Sequence, residues 1–254
     1  MDKDRYSGIL LVDKPKGWTS FDVVAKVRGV IRVSLKAEAE RLKQPHSIGQ
    51  LSSSGSHLPT KVKVGHTGTL DPSATGLLVL CLGKYTKKVP DMIRHDKTYE
   101  VELTLDATST TGDQEGVITK SGEEKVVSGK ELQKVLDSFI GEQMQIPPAF
   151  SAIKVNGVRA YDLARAGKEV NLEPRKCTIH FIELSEYSWP IVKFTCSVSS
   201  GTYIRSLAED IGKKLGTGAY MSELRRTRVD SYEVSDAMQI SEISSEMIDE
   251  RLLK

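Results

Sequence analysis

Residues 64 to 83 read VGHTGTLDPSATGLLVLCLG, and the second half of that stretch is the strongest constraint on the fold. Leu77 to Leu82 is an unbroken apolar run with no polar residue to turn toward water. Crossing a bilayer takes about 20 apolar residues, so a run this short belongs to a buried element of a packed core. The first half has the opposite character. Gly65, Gly68 and Gly76 interrupt it, and one histidine, three threonines and one carboxylate, Asp71, are set among them. A lone acid in a Gly/Thr-rich loop at the mouth of a buried element has two readings. Asp before Pro is a common turn former or helix cap, worth about 1 kcal/mol. Alternatively, the loop backbone holds a reactive carboxylate against a ligand, as nucleophile or general base. The local sequence by itself leans to the turn. The glycines suit a phosphate, but GHTGT lacks the Lys-Ser/Thr ending of a nucleotide-binding P-loop.

The remainder of the 254 residues supplies ample material for a core, with 39% hydrophobic and 28% charged residues. Cys81, Cys177 and Cys196 are odd in number and far apart, which argues against a disulfide framework and for a reducing cytoplasm. MDKDRYSG lacks the anatomy of a signal peptide. A cytosolic protein without a membrane partner is expected. Charge is unevenly spread: Lys61 to Tyr99 holds seven basic residues against three acids, and Asp230 to Lys254 seven acids against two bases. The basic segment beside the Gly-rich loop suits a polyanion such as nucleic acid, and suits a solvated face equally well. His46, His57 and His66 have ten and eight residues between them, which is no ligand spacing. Cys177 and His180 form a single C-x2-H without a partner pair, so zinc is not expected.

Periodicity gives the elements. Ile9 to Val12 reads as a short strand stopped by Lys-Pro-Lys-Gly. Ser20 is placed to cap a helix carrying Val23, Val24, Val27, Val30 and Ile31. Arg32 to Lys43 is charged without a strong stripe, and 44–60 is a Ser/Gly/Pro-rich loop. Tyr99, Val101, Leu103 and Leu105 alternate as a half-buried strand, followed by the turn-rich DATSTTGDQEG. Ser128 and Glu131 suggest a capping box for a helix through Leu132, Val135, Leu136, Phe139 and Ile140, ended by Gly141. Phe194, Cys196 and Val198 form another strand. Ile204, Leu207, Ala208, Ile211 and Leu215 then make a helical stripe closed by Gly216. Without a regular βαβα beat, the expected class is α+β: a mixed, largely antiparallel sheet flanked by helices, in one domain over 1–254.

Several side chains carry two readings. In SSGTYIRSLAEDIG, Tyr203 and Arg205 flank Ile204 where strand gives way to helix. They are a half-buried Tyr and an exposed Arg at a helix start, or the Arg pairs with a carboxylate and keeps it ionised. Tyr99 is one more core aromatic, or a flat ring on which a base stacks. His66 is an acid/base, or a hydrogen-bonding loop residue that orients the turn or touches a phosphate; the second is favoured.

Together, GILLVDKPKGWTS, GHTGTLDPSATGLL, KTYEVELTLD, IPPAFSAIKVNGVRAYDLARAG, GTYIRSLAEDIG and LRRTRVDSY closely resemble the TruB-type tRNA pseudouridine synthases. They occur in the family's order, from Gly8 to Tyr232, with family-like spacing after residue 61. The resemblance implies the pseudouridine synthase fold and isomerisation of uridine to pseudouridine in the tRNA T-loop, at the position usually numbered 55, without metal or cofactor. It makes Asp71 the catalytic carboxylate. Tyr99 then stacks on the flipped uracil and helps move the C5 proton, Arg205 pairs with Asp71, and Tyr203 and Leu224 line the pocket. His66 contacts the flipped-out nucleotides, and Lys14 and Lys154 are supports or RNA contacts. Flipping a base costs a few kcal/mol; a Gly-rich backbone permits close approach of RNA, and lysines engage phosphates. The tRNA T stem-loop is the expected partner, and nothing demands a dimer, so a monomer is expected.

Two departures accompany the resemblance. A polar, flexible insertion is expected over 34–60, and an acidic tail over 230–254 stands where many relatives continue into a PUA domain. Two other functions are alternatives to this enzyme: a tRNA-folding chaperone, and pseudouridylation of another RNA stem-loop.

Overall fold

The computed structural model describes residues 5–43, 62–122 and 125–254. The chain forms two compact units, Met1–Ile93 with Tyr232–Lys254, and Arg94–Ser231. The class is α+β with mostly antiparallel pairing, as expected.

In unit one the apolar run is a strand, Thr75–Leu82, and Leu77 through Leu82 are wholly buried. The strand Gly8–Lys14, buried along its length, lies antiparallel to it with Ile9 opposite Cys81 and Lys14 opposite Gly76. A short strand, Val64–His66, is also antiparallel to it, placing His66 opposite Leu80. Met238–Gln239 pairs in parallel with Gly8–Lys14, which makes the sheet mixed. The helix Ser20–Lys43 lays Val23, Val24, Val27, Ile31 and Leu35 against Leu10, Val12, Leu78, Leu80 and Leu82. Each side chain so buried contributes roughly 1.5–3 kcal/mol.

Three expectations are corrected here. Residues 34–43 are helix, not part of a flexible insertion: Leu35 continues the stripe one turn beyond Ile31 and reaches the core, among good helix formers. Residues 44–60 of the expected insertion lie outside the described residues. The helix cap is Thr19, not Ser20. Asp22 N–H donates to Thr19 Oγ1 (3.0 Å) and Thr19 N–H to Asp22 Oδ2 (2.9 Å), a reciprocal box. The expected acidic tail is folded into unit one. Met238, Ile243, Ile248 and Leu252 join the core, while Glu233, Asp236, Glu242, Glu246 and Glu250 face outward.

Unit two is built on five consecutive antiparallel strands, in the order Ala219–Val229, Lys97–Leu105, Ile191–Val198, Arg175–Ser188, Gly141–Gln145. The alternations at 99–105 and 194–198 appear as strands with one buried face. Ser128 does cap its helix, accepting from Glu131 N–H, but that helix ends at Asp137. Ser138, Phe139 and Ile140 close tighter i→i+3 bonds, and Gly141 begins a strand at φ 106°. The stripe at 204–215 is a helix stopped by Gly216 at φ 71°. Gly212 within it is required by contact: a Cβ there would strike the main chain of Gly218 and Ala219.

Candidate active site

Within unit one, Asp71 is half-buried, and its main-chain carbonyl accepts from Ala74 N–H (3.1 Å) to close the turn Asp71–Ala74. Both neighbours of Asp71 are tied to the start of the chain. Ser20 Oγ accepts from Leu70 N–H (2.8 Å) and donates to Leu70 O (3.0 Å), serving both polar groups of a buried residue. Pro72 O accepts from Gly17 N–H (2.8 Å) and from Lys14 Nζ (3.4 Å). Lys14 also donates to Trp18 O (2.6 Å) and Pro15 O (3.0 Å), and it is 0% exposed. An ammonium has three donors and no acceptor, so it suits a site where loop carbonyls converge away from water. Lys14 thus ties the main chain at Pro15, Trp18 and Pro72 together. His66 is half-buried on its short strand, and Thr67 N–H extends the pairing to Val79 O (3.0 Å).

Unit two holds the remaining candidate residues. Tyr99 is buried in a central strand, opposite Cys196 on one side and Arg226 on the other, and half-buried Leu224 stands opposite Val101. Arg226 is itself buried, as is Lys97. Burial, and then the positive charge of Arg226, bring Lys97 down to about 8. Tyr203 is the residue before the helix Ile204–Leu215, and Arg205 stands in its first turn. The Arg205 guanidinium donates to Thr111 O (3.1 Å) and Phe150 O (3.0 Å) and faces Asp113 Oδ2 at 3.6 Å. Arg205 is therefore buried, contrary to the reading as an exposed helix-start residue. Asp113 is fixed in turn by Thr111 Oγ1 (2.5 Å) and Glu115 N–H (3.0 Å). Gly112, at φ 76°, makes this approach possible: a Cβ there would meet Arg205 Cβ at 3.2 Å and Glu209 Oε1 at 2.8 Å. Lys154 is exposed on a separate hairpin, Lys154–Val155 with Val158–Arg159, turned by Asn156 and Gly157 at φ 51° and 84°.

Among the buried polar residues that the sequence does not single out are Asp113, Arg226 and Gln145. Asp113 lies in DATSTTGDQEG, and its acid among threonines and glycines was the signal available. Gln145 and Arg226 stand in or beside quoted motifs, without a periodic signature of their own. Among the described residues, no cluster of three His, Cys, Asp or Glu is placed to hold a metal ion. Unit one offers a carboxylate on a braced turn, and unit two, by itself, a fixed guanidinium and a buried phenol.

Comparison with known proteins gives a consistent answer. Residues 56–204 match the model of the TruB family pseudouridylate synthase N-terminal domain, and residues 205–254 that of the tRNA pseudouridylate synthase B C-terminal domain. The chain is 40% identical over 243 residues to a tRNA pseudouridine synthase B of Bacteroides fragilis, covering 96% of this chain and 94% of the relative. It is 42% identical over 250 residues to that of Aquifex aeolicus, covering 97% and 77%. Among solved structures it is similar to a chain of a Cbf5–Nop10–Gar1 complex, with TM-score 0.64 and 29% identity, over 93% of this chain and 53% of the other. It is also similar to a chain of an H/ACA ribonucleoprotein bound to a substrate RNA containing 2′-deoxyuridine, with TM-score 0.60, 27% identity and coverage of 94% and 52%.

Proposed function

The chain belongs to the TruB family of pseudouridylate synthases, and from that membership we infer that it isomerises uridine to pseudouridine in tRNA, at the T-loop uridine usually numbered 55, with Asp71 as catalytic carboxylate. In this reaction the bond from ribose C1′ to uracil N1 breaks, the base turns over, and C1′ joins C5. The C5 proton is lost and N1 gains one, so substrate and product are isomers and no co-reactant is consumed. The target base leaves its stack first, at a cost of a few kcal/mol.

The observation that carries the assignment of Asp71 is the bracing of its loop. The carbonyls of Leu70 and Pro72 each accept from a buried side chain near the start of the chain, Ser20 and Lys14. A reactive group fixed in this way needs little reorganisation when the substrate arrives. In this reading Arg205 keeps Asp71 ionised and in place, Tyr99 stacks on the uracil, Tyr203 and Leu224 wall the pocket, and His66 and Lys154 contact the RNA. The protein acts as one catalytic domain and as a monomer.

The test is incubation with an unmodified T-arm stem-loop and with full-length tRNA, mapping pseudouridine for wild type and Asp71→Asn. Wild type is expected to convert the T-loop uridine, and the variant to fall to background. Full conversion by Asp71→Asn removes Asp71 from the mechanism. Conversion at a different uridine keeps the chemistry and overturns the target.

A further inference from the structure

We propose that Gln145 is a positioning residue for this reaction, acting through the backbone of Tyr203 on the helix turn that carries Arg205. The inference rests on the reading of Tyr203 and Arg205 as site residues. Gln145 ends the edge strand Gly141–Gln145, whose alternation turns Glu142 and Met144 outward and Gln145 inward, to 5% exposure. There its carboxamide pairs with both polar groups of one residue: Oε1 accepts from Tyr203 N–H (2.8 Å) and Nε2 donates to Tyr203 O (3.1 Å). Tyr203 precedes the helix, and its own side chain caps nothing. The junction between the strand Ile191–Val198 and the helix is thus fixed by a side chain 58 residues away.

Two further bonds run from the same turn to the same segment. Ser206 Oγ donates to Ile146 O (2.8 Å), and Arg205 donates to Phe150 O (3.0 Å). Tyr203, Arg205 and Ser206 are thereby tied in sequence to Gln145, Phe150 and Ile146. Gln145 is the member whose function depends on having a donor and an acceptor together, because a peptide unit offers one of each. A hydrocarbon of the same size leaves both groups of Tyr203 without it. A carboxylate satisfies the N–H and sets a second anionic oxygen against the carbonyl.

This asymmetry provides a test. A buried glutamate at 145 has its pKa raised by desolvation. Protonated, it donates to Tyr203 O and accepts from Tyr203 N–H as the glutamine does; ionised, it cannot donate. Single-turnover pseudouridine formation on tRNA is measured from pH 6 to 9 for wild type, Gln145→Glu, Gln145→Leu and Arg205→Ala, with tRNA affinity and thermal melting at each pH. Gln145→Leu is expected to lose roughly 10- to 100-fold in rate at every pH, with affinity within about threefold of wild type. Gln145→Glu is expected to approach wild type at low pH and to fall away as pH rises, relative to wild type and without a parallel loss of folded protein. Wild-type rates for both Gln145 variants beside an inactive Arg205→Ala overturn the positioning role and leave the site reading standing. A slow Gln145→Leu with lowered melting and no pH limb in Gln145→Glu makes the residue merely structural, which also overturns it. Full activity in Arg205→Ala sinks the site reading and this inference with it.

Discussion

Lys97 brings an ammonium group to the start of the strand that carries Tyr99, and burial lowers it from an ordinary 10.5 to about 8. It donates to His95 O (2.5 Å), while Arg226 repels it and Asp96 attracts it. The folded pKa lies below the unfolded one, so between about 8 and 10.5 the unfolded chain binds the extra proton. Stability from this group therefore rises with pH through that window, and below pH 8 the penalty of burying the cation is complete. Relative to Lys97→Met, wild type is expected to gain about 1–2 kcal/mol between pH 7 and pH 9. Burial pushes Cys81 up to about 11 and Cys196 to about 12, which acts with the opposite sign above pH 9. Both proteins carry those thiols, so the difference isolates the lysine. Urea titrations of the pair at the two pH values measure it, and a pH-independent difference would mean that Lys97 keeps an ordinary pKa.

At the level of elements, adjacent residues at the head of the first helix do different work. Thr19 caps the helix at the surface, whereas Ser20 serves both main-chain groups of buried Leu70, next to Asp71. Thr19→Ala is expected to cost about 1 kcal/mol of stability and leave the rate unchanged. Ser20→Ala leaves a buried N–H and C=O without this partner, at about 1–3 kcal/mol for each. It is expected to slow pseudouridine formation as well, because the turn bearing Asp71 loosens. Equal rates for both variants would separate Leu70 from catalysis. The same pair shows what the sequence could and could not reveal. A helix beginning near residue 20 was legible from Val23, Val24, Val27 and Ile31, and the helix 204–215 from its stripe and Gly216, because periodicity and caps are local. The extension through Lys43 was not, since Leu35 is the one buried anchor among its described side chains and tertiary packing decides it. Asp71 and Arg205 could be singled out as candidates because they stand in quoted motifs. Their supports could not: Ser20 meets Leu70 across 50 residues and Gln145 meets Tyr203 across 58, separations about which no pattern speaks.

For the whole molecule, the order of the chain matters, because unit one is assembled from both ends. Its core takes Leu10 and Val12 from the first strand and Ile243, Ile248 and Leu252 from the last residues, and Ile9 and Leu253 exchange main-chain bonds of 2.8 and 2.9 Å. Arg5 meanwhile pairs with Asp249 and Glu38, joining the last helix, Ser245–Arg251, to the first. The five long strands of unit two all come from Lys97–Val229 and include none of these residues. Removal of 244–254 takes two buried side chains from unit one, roughly 3–6 kcal/mol of burial, set against a total of about 5–15 kcal/mol for a typical protein. The two tryptophans separate the consequences, since Trp18 lies in unit one and Trp189 in unit two. Followed by Trp18 fluorescence in a Trp189→Phe background, the truncated chain is expected to unfold roughly 10 °C or more below its full-length counterpart. Followed by Trp189 in a Trp18→Phe background, the shift is expected to be smaller, because unit two keeps its five long strands. Equal shifts at both reporters would mean that unit two holds its fold through the final helix as well, and that the two cores melt as one.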